Sequence, residues 1–134
     1  MAIQKSTTLR NAELDQGETT IGTAPVLKIF TGSAPSNCGS ANSGTELVSM
    51  TLPSDWAAAA SSGSKAKSGT WSGTAGATGT AGHWLLYASD GTTCHMQGTA
   101  TASGGGGDMI LDNTSIASGQ TVTVSTFTRT AGGA

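Results

Sequence analysis

The sequence predicts an all-β protein, an antiparallel β-sandwich of jelly-roll type with a short N-terminal helix or arm. Threonine, valine and isoleucine suit strands and recur along the chain, and 20 glycines among 134 residues supply turns between them. Only 10% of the residues are charged, which argues against an ordinary disordered chain. About seven or eight strand-like segments are separated by turn residues, which is the pattern of sandwiches and jelly rolls.

Residues 1–22 are predicted to form an N-terminal arm or helix, followed by a single β-sandwich domain over residues 23–134. A helix over residues 6–21 would be capped by Ser6 or its neighbours. The apolar face of this helix is thin, so the helix would not be stable alone. It must therefore dock on the sheet or pack on another chain, and an arm that orders only on assembly is an equal alternative.

The first two predicted strands are residues 25–32 and residues 45–53. Pro25 suits the first position of a strand, where no hydrogen-bond donor of the ladder is lost. In the second strand, the alternation of side chains identifies one face as the core face. That face comprises Glu46, Val48, Met50 and Leu52.

The middle of the chain gives weaker signals. Residues 54–60 are predicted to start a short helical turn capped by Ser54. Residues 61–68, which include Lys65, are small and polar and are predicted to form the most exposed loop. A weak strand is predicted over residues 69–75.

Residues Gly82–Gly98 contain the strongest local signal, since Asp90 and Gly91 separate two runs of strand length. Asp-Gly at such a point is typical of a type I′ hairpin turn, which needs positive φ at both residues. Counting outward from this turn pairs Tyr87 with Cys94, Leu86 with His95 and Leu85 with Met96. Alternating the faces then gives two sets of side chains. The predicted core face holds Leu85, Tyr87, Cys94 and Met96. The other, partly covered face holds Trp84, Leu86, His95 and Gln97.

The sequence after the four-glycine loop (residues 104–107) predicts two more strands. The first is short and covers residues 108–112. The last covers residues 120–130, and its apolar side chains change faces after Val124. This change of phase predicts a β-bulge near Ser125 or Thr126, or a strand that crosses between two sheets.

Charge and hydropathy exclude several kinds of partner. The net charge is −2 and the six basic residues are scattered, so direct binding to nucleic acid is not expected. No apolar run approaches the ~18 residues of a membrane span and no secretory leader opens the chain, so no membrane partner is expected. Synthesis in a cytoplasm follows, where Cys38 and Cys94 would be reduced, and the sequence leaves open whether they pair later.

No catalytic, cofactor-binding or metal-binding residues are predicted, so we expect neither an enzyme nor a cofactor. Cys94 and His95 are adjacent and lie on opposite faces of a strand, so they cannot easily share a metal ion with His83. Asp108 and Asp112 fit a solvated strand edge. No serine stands in a nucleophile elbow, and the four-glycine loop lacks the lysine of a phosphate-binding loop.

Three tryptophans, Trp56, Trp71 and Trp84, keep one alternative open. In carbohydrate-binding β-sandwiches, aromatic side chains form platforms that stack on sugar rings. In a core otherwise built from small residues, packing is the more frequent role of tryptophan. A carbohydrate-binding or adhesion module is therefore the second hypothesis.

Several segments resemble small structural proteins of tailed bacteriophages. These segments are residues 8–12, 21–32, 52–56, 79–98 and 112–122. The resemblance is one of overall pattern over most of the chain and carries no active-site residues. It implies a virion component, and among those a capsid cement or decoration protein of β-sandwich type, which commonly sits as a trimer or dimer over capsomer junctions.

The predicted function is therefore to stabilise the phage head by binding the major capsid protein and copies of this chain. The predicted contacts lie in residues 1–22 and in the exposed loops. The expected location is the capsid surface of the virion, after synthesis in the cytoplasm of the bacterial host. The second hypothesis places a carbohydrate-binding or adhesion module on a phage tail or head fibre.

Overall fold

A computed structural model describes residues 3–133; Met1, Ala2 and Ala134, which belong to the predicted arm and tail, lie outside the described residues. Within residues 3–133 the chain forms one helix and nine strands. They are α1 (Thr7–Ile21), β1 (Val26–Thr31), β2 (Glu46–Thr51), β3 (Ser64–Ala66), β4 (Ser72–Thr74), β5 (Gly79–Tyr87), β6 (Cys94–Ala102), β7 (Met109–Leu111), β8 (Ser115–Ile116) and β9 (Thr121–Thr130). The helix is not long and apolar enough to cross a membrane.

The strands form one sheet in the order β2-β1-β5-β6-β7-β9-β3, with β4 paired to β9 and β8 paired to β5. β6 and β7 run parallel, whereas the other pairs among the described strands are antiparallel, so the sheet is mixed. It curls into a half-barrel, and the segment after β4 returns to β2, where Gly76 N–H donates to the Leu47 carbonyl (2.8 Å). The predicted β-rich class with one short helix is confirmed, but the sheet is not purely antiparallel.

Aromatic side chains dominate the core inside this curled sheet. Trp71 and Phe127 have ring centroids 5.5 Å apart, and Trp84 meets Phe127 edge-on at 5.2 Å. The aliphatic residues that complete the core include Leu27, Ile29, Val48, Met50, Leu52, Leu86, Met109, Leu111, Val122 and Val124. A side chain of this size stabilises the fold by roughly 1.5–3 kcal/mol when it is fully buried.

The core face predicted for β2 is confirmed at Val48, Met50 and Leu52, whereas Glu46 is exposed. The pairing of β2 with β1 skips Leu47, because the register shifts at this point. This bulge also turns Leu47 inward, and its side chain is fully buried.

Helix α1 begins after Ser6, whose hydroxyl accepts a hydrogen bond from the backbone N–H of Leu9 (3.2 Å). This confirms the predicted cap. The helix is docked within its own chain, because Leu14 and Ile21 are buried and Ile21 belongs to the core. Of the alternatives that the sequence left open for residues 6–21, docking on the sheet is the one found.

The predicted register of the β5–β6 hairpin is wrong beyond its first pair. Tyr87 pairs with Cys94 as predicted, but Leu86 pairs with Met96, which makes His95 an extra residue in β6. Such a bulge shifts every later pair by one residue. The core face of the hairpin consequently holds Trp84, Leu86 and Met96, and Leu85 lies outside the core cluster.

The hairpin turn is not of type I′, since Gly91 has φ of 73° but Asp90 has no positive φ. The Asp90 carboxylate holds the turn by accepting hydrogen bonds from the backbone N–H groups of Thr92 and Thr93, each at 2.9 Å. Together with the Thr93 hydroxyl, these donors hold the pKa of Asp90 far below its usual range.

The bulge predicted in the last strand is confirmed. Ile110 of β7 pairs with Thr126, but the next residue pairs with Val124, which leaves Ser125 without a partner in that ladder. The bulge lets Val124 and Phe127 both face the core despite their odd spacing.

The prediction for residues 54–68 is wrong. Residues 54–60 form no helical turn, and Ala57 is instead bridged to Lys67. The predicted exposed loop contains β3, which pairs with the end of β9. The sequence did not show that β3 would pair with β9. This pairing buries Lys65, which is only 3% exposed.

Candidate functional site

His83, Cys94 and His95 do not form a metal site, and two of them fix a loop instead. His83 is fully buried, and its ring nitrogens lie 2.9 Å from the Gly32 carbonyl oxygen and 2.9 Å from the side-chain oxygen of Asn42. Cys94 forms a disulfide with Cys38, with their Cα atoms 5.5 Å apart. Within residues 3–133, no three or more His, Cys, Asp or Glu side chains are arranged to hold a metal ion.

The segment held in this way, residues 32–45, is called the covering loop below. It carries three attachments to β5 and β6: the disulfide, the contacts of His83 and a hydrogen bond from the Gln97 amide to the Pro35 carbonyl (2.7 Å). Leu85 points away from the core cluster and is still only 2% exposed. The covering loop therefore packs over the outer face of the β5–β6 hairpin, where Leu85 lies, and shields it from solvent.

The other residues that the sequence singled out are placed apart or buried. Asp108 accepts a hydrogen bond from the Thr99 N–H (3.0 Å), whereas Asp112 accepts one from the Thr123 N–H (3.1 Å), so they do not form a carboxylate pair. Trp56, Trp71 and Trp84 are 1%, 1% and 3% exposed. Stacking on a sugar ring needs an exposed ring face, so these side chains form no platform in this structure.

A buried ion cluster was missed by the sequence reasoning. The Lys65 ammonium lies 2.7 Å from the Asp15 carboxylate and 2.6 Å from the Glu18 carboxylate, and the lysine side chain is 2% exposed. Asp15 and Glu18 stand three residues apart on α1, a spacing that places both on one helix face. This spacing is the one feature of the sequence that identifies the two carboxylates as a pair. No sequence feature near Lys65 identifies it as their partner.

The pKa values of this cluster follow from its hydrogen bonds. Burial by itself lowers the pKa of Lys65, but the hydrogen bonds to Asp15 and Glu18 outweigh it and raise that pKa above its ordinary value. Hydrogen bonds from Lys65 and from the Ala60 N–H lower the pKa of Asp15. The cluster lines a groove of about 630 Å³ beside α1, and its role is to fix the helix on β3.

A second cavity, of about 550 Å³, opens between β6 and β9 and is called the strand cleft below. It is lined by Trp84, Met96, Gln97, Gly107, Asp108, Phe127, Thr128, Arg129 and Thr130. β7 lies between β6 and β9, but it begins only at Met109, which pairs with Ala100 and Phe127. The cleft lies in line with β7, on the N-terminal side of Met109. There β6 and β9 are separated by the space that one further strand would occupy, so they are roughly 9–10 Å apart.

The β6 side of the strand cleft presents a free backbone edge. The N–H of Thr99 points away from β5, because it donates to the side chain of Asp108. Backbone directions alternate along a strand, so the N–H and C=O of Gln97 point the same way, into the cleft. No strand among the described residues pairs with Gln97 on that side.

The β9 side presents a second free edge. The carbonyl of Phe127 accepts from Lys67 N–H and the N–H of Ala131 donates to Gly63, so odd-numbered residues here point toward β3. By alternation, the N–H and C=O groups of Thr128 and Thr130 point into the strand cleft. Between residues 3 and 133, no strand takes these groups up.

The floor of the strand cleft is aromatic. Trp84 and Phe127 meet there, but they are only 3% and 5% exposed, and a Cβ at Gly98 would stand 2.7 Å from the Asp108 carboxylate and 2.9 Å from the tryptophan ring. Arg129 lines one wall, and its Nη1 is buried with no hydrogen-bond partner among the described residues. Two free strand edges are suited to an extended peptide, whose main chain would complete both ladders.

No family model, no curated protein and no solved structure matches this chain.

Proposed function

We propose that this chain is a structural protein of a bacteriophage virion, most simply a capsid cement or decoration protein. It would stabilise the head by binding the major capsid protein and further copies of itself. The observation that carries the proposal is the strand cleft, because its two free backbone edges are suited to protein main chain. The resemblance of residues 8–12, 21–32 and 112–122 to small phage structural proteins supports the virion setting.

Two further features support a role in a lattice. The charge is low, so neighbouring copies can pack closely with little electrostatic repulsion, and many weak contacts then add up by avidity. The Cys38–Cys94 disulfide is of a kind that persists on virion surfaces, where no cellular reductant acts. The finer fold assignment, a jelly-roll-like sandwich, belongs to the same proposal, and the antiparallel pairing around β1, β5 and β9 supports it, while the parallel pair of β6 and β7 departs from it.

The docked helix narrows the contacts proposed for residues 1–22. Asp15 and Glu18 hold the buried Lys65, so deleting the helix would disturb the fold as well as any capsid contact. The parts of this segment that remain open to a neighbour are Ile3, Gln4 and the exposed face of α1, which includes Leu9 at 48% exposure. Point changes there are therefore better tests than a deletion of residues 1–20.

Quantitative mass spectrometry of purified virions tests the proposal directly. A head protein that covers the capsid lattice by repeated contacts should be present in on the order of hundreds of copies per particle. Absence from the particle would contradict the proposal, and a handful of copies would move the protein to the tail or a vertex. As the matched binding test, purified chain is added to heads that lack it, and co-sedimentation is compared for the native chain and Leu9→Asp.

The second hypothesis, a carbohydrate-binding or adhesion module of a tail or fibre, is separated by a glycan array. The native chain is the right probe, because Trp56, Trp71 and Trp84 are core residues whose removal would damage the fold. Selective glycan binding together with a low copy number would favour the second hypothesis over the first.

A further inference from the structure

We infer that the covering loop acts as a redox-controlled lid, closed while the Cys38–Cys94 disulfide is intact and open once that bond is reduced. Reduction transfers two electrons and two protons from a dithiol to the bridge. The bond between the two sulfur atoms breaks, two cysteine thiols form and the dithiol becomes a disulfide. The inference concerns the purified chain and does not rest on the proposed virion role, so its failure would leave that proposal standing.

The covering loop lies over a small layer of side chains that is separate from the core. Phe30 and His83 are paired across β1 and β5, their rings stack with centroids 5.3 Å apart, and they are 7% and 0% exposed. Phe30, like Leu85, lies outside the core cluster. The loop packs directly on this layer, since a Cβ at Gly44 would stand 3.2 Å from both rings' side chains. Opening the loop would therefore expose the layer to solvent while the core stays packed.

Apart from the disulfide, the covering loop is held by polar contacts. Residues 32–45 contain only Gly, Ser, Ala, Pro, Asn, Cys and Thr, so the loop has no large apolar side chain that could anchor it. Its hydrogen-bond contacts to β5 and β6 are made with the His83 ring and the Gln97 amide. Water can replace such contacts when the loop opens, so their net contribution is small. The covalent bond is therefore the attachment that decides whether the loop stays closed.

The ends of the covering loop allow it to move as a unit. The Thr31 N–H donates to the Thr45 carbonyl and the Thr45 N–H donates to the Thr31 hydroxyl, each at 3.0 Å, so the two ends are held together. Close ends are the defining feature of an Ω-loop. Gly32 follows Thr31 with φ of 78°, and a Cβ there would touch nothing. The loop can therefore swing about these ends while β1 keeps its pairing with β2 and β5.

Labelling of the full chain with diethyl pyrocarbonate, which acylates an accessible imidazole nitrogen, tests the inference. The chain has two histidines: His83 is fully buried beneath the covering loop, whereas His95 is partly exposed and serves as the internal reference. In the native oxidised chain only His95 should react. In Cys38→Ser/Cys94→Ser the labelling rate of His83 relative to that of His95 should rise about 10-fold or more, because labelling follows the population of the open form.

Two controls and a second measurement separate a lid from a general loss of structure. Gln97→Ala removes the hydrogen bond to Pro35 but keeps the disulfide, so His83 should stay protected. Tryptophan emission should be the same in the double serine variant as in the native chain, because the three tryptophans all lie in the core. The second measurement probes the native chain with subtilisin in the presence of dithiothreitol, where residues 33–44 should be cut about 10-fold faster than in the oxidised chain.

Several results would overturn the inference. If His83 stays unlabelled in the folded double serine variant, the hydrogen bonds alone keep the loop closed. If His83 is labelled in the oxidised native chain, or in Gln97→Ala as fast as in the double serine variant, the disulfide does not hold the loop. If the reduced native chain shows the tryptophan emission of the unfolded chain, the bond holds the whole fold. Should only the double serine variant fail to fold, the subtilisin measurement decides, and an unchanged rate of cutting overturns the inference.

Discussion

Helix α1 and the covering loop both cover part of the same curled sheet, but they are attached by different chemistry. Besides the burial of Leu14 and Ile21, the helix is fixed by charge, through the Lys65 ammonium between the Asp15 and Glu18 carboxylates. The covering loop is fixed by a covalent bond and by the hydrogen-bond contacts of the buried His83 ring. The first attachment therefore depends on pH, and the second depends on redox conditions.

The two attachments also differ in what they do to the sheet. Lys65 is a buried charge that needs the helix, since an ammonium without a counter-charge is costly in the interior. Cys94 is half-buried and carries no charge in the disulfide, and its bond acts mainly by restricting the unfolded chain. We therefore expect loss of the helix contacts to damage the native state locally, and loss of the disulfide to lower stability as a whole.

The largest effect is expected when the disulfide is removed. Cys38 and Cys94 are 56 residues apart in sequence. A bridge that closes a loop of this length contributes about 4 kcal/mol in the chain-entropy model, and the variant Cys38→Ser/Cys94→Ser should lose stability of that order. Urea unfolding measures the change, and the native chain treated with a reductant should shift by the same amount. Equal midpoints for the oxidised and reduced chain would show that the bridge is not made.

A somewhat smaller effect is expected when both carboxylates of the ion cluster are neutralised. Asp15→Asn with Glu18→Gln leaves the Lys65 ammonium buried without a counter-charge. We expect a loss of stability smaller than that of the disulfide variant, because the lysine is buried but both carboxylates are partly open to water. Glu46→Gln is the control, since it breaks the exposed contact with Lys28 and should change stability by no more than about 0.5 kcal/mol.

The pH dependence of stability sharpens the same test. The pKa of Lys65 is raised above its ordinary 10.5, so its contribution is complete below that pH and is lost as the pH rises through the raised value. The pKa of Asp15 is lowered below its ordinary 3.8, so its contribution is complete above that pH and is lost as the pH falls through the lowered value. The native chain should therefore show a plateau between these limits. The double variant should instead gain stability as Lys65 loses its proton, and an unchanged alkaline profile would contradict the cluster.

The smallest effect concerns the hairpin turn that precedes Cys94. A Cβ at Gly91 would touch nothing, so Gly91→Ala tests backbone conformation alone. With φ at 73°, the alanine should cost about 1 kcal/mol in thermal unfolding. Gly76→Ala is the matched control, because its Cβ also meets nothing and its φ is not positive, so no loss is expected there. Equal effects of the two substitutions would mean that the turn is not strained by a side chain.

Features that depend on near neighbours in sequence could be predicted. The cap of α1 at Ser6, the strands around Val48 and the bulge at Ser125 all follow from spacing within a few residues. The hairpin shows the limit of such counting. Its pairing is right at Tyr87 and Cys94, but one extra residue, His95, changes all later pairs, and no local rule shows where a bulge falls.

The sequence by itself determined the β-rich class, the single short helix and the shortage of charge, because composition and periodicity act through local backbone preferences. Only the tertiary structure decided that Lys65 is buried, that Cys38 meets Cys94 and that β7 begins only at Met109, which leaves a gap between β6 and β9 before that residue. Each of these depends on chain segments that are far apart in sequence, and their meeting is fixed by how the whole sheet curls. The strand cleft is the clearest case, since it is defined by hydrogen-bonding groups of two strands that lie about thirty residues apart and leave room for a third.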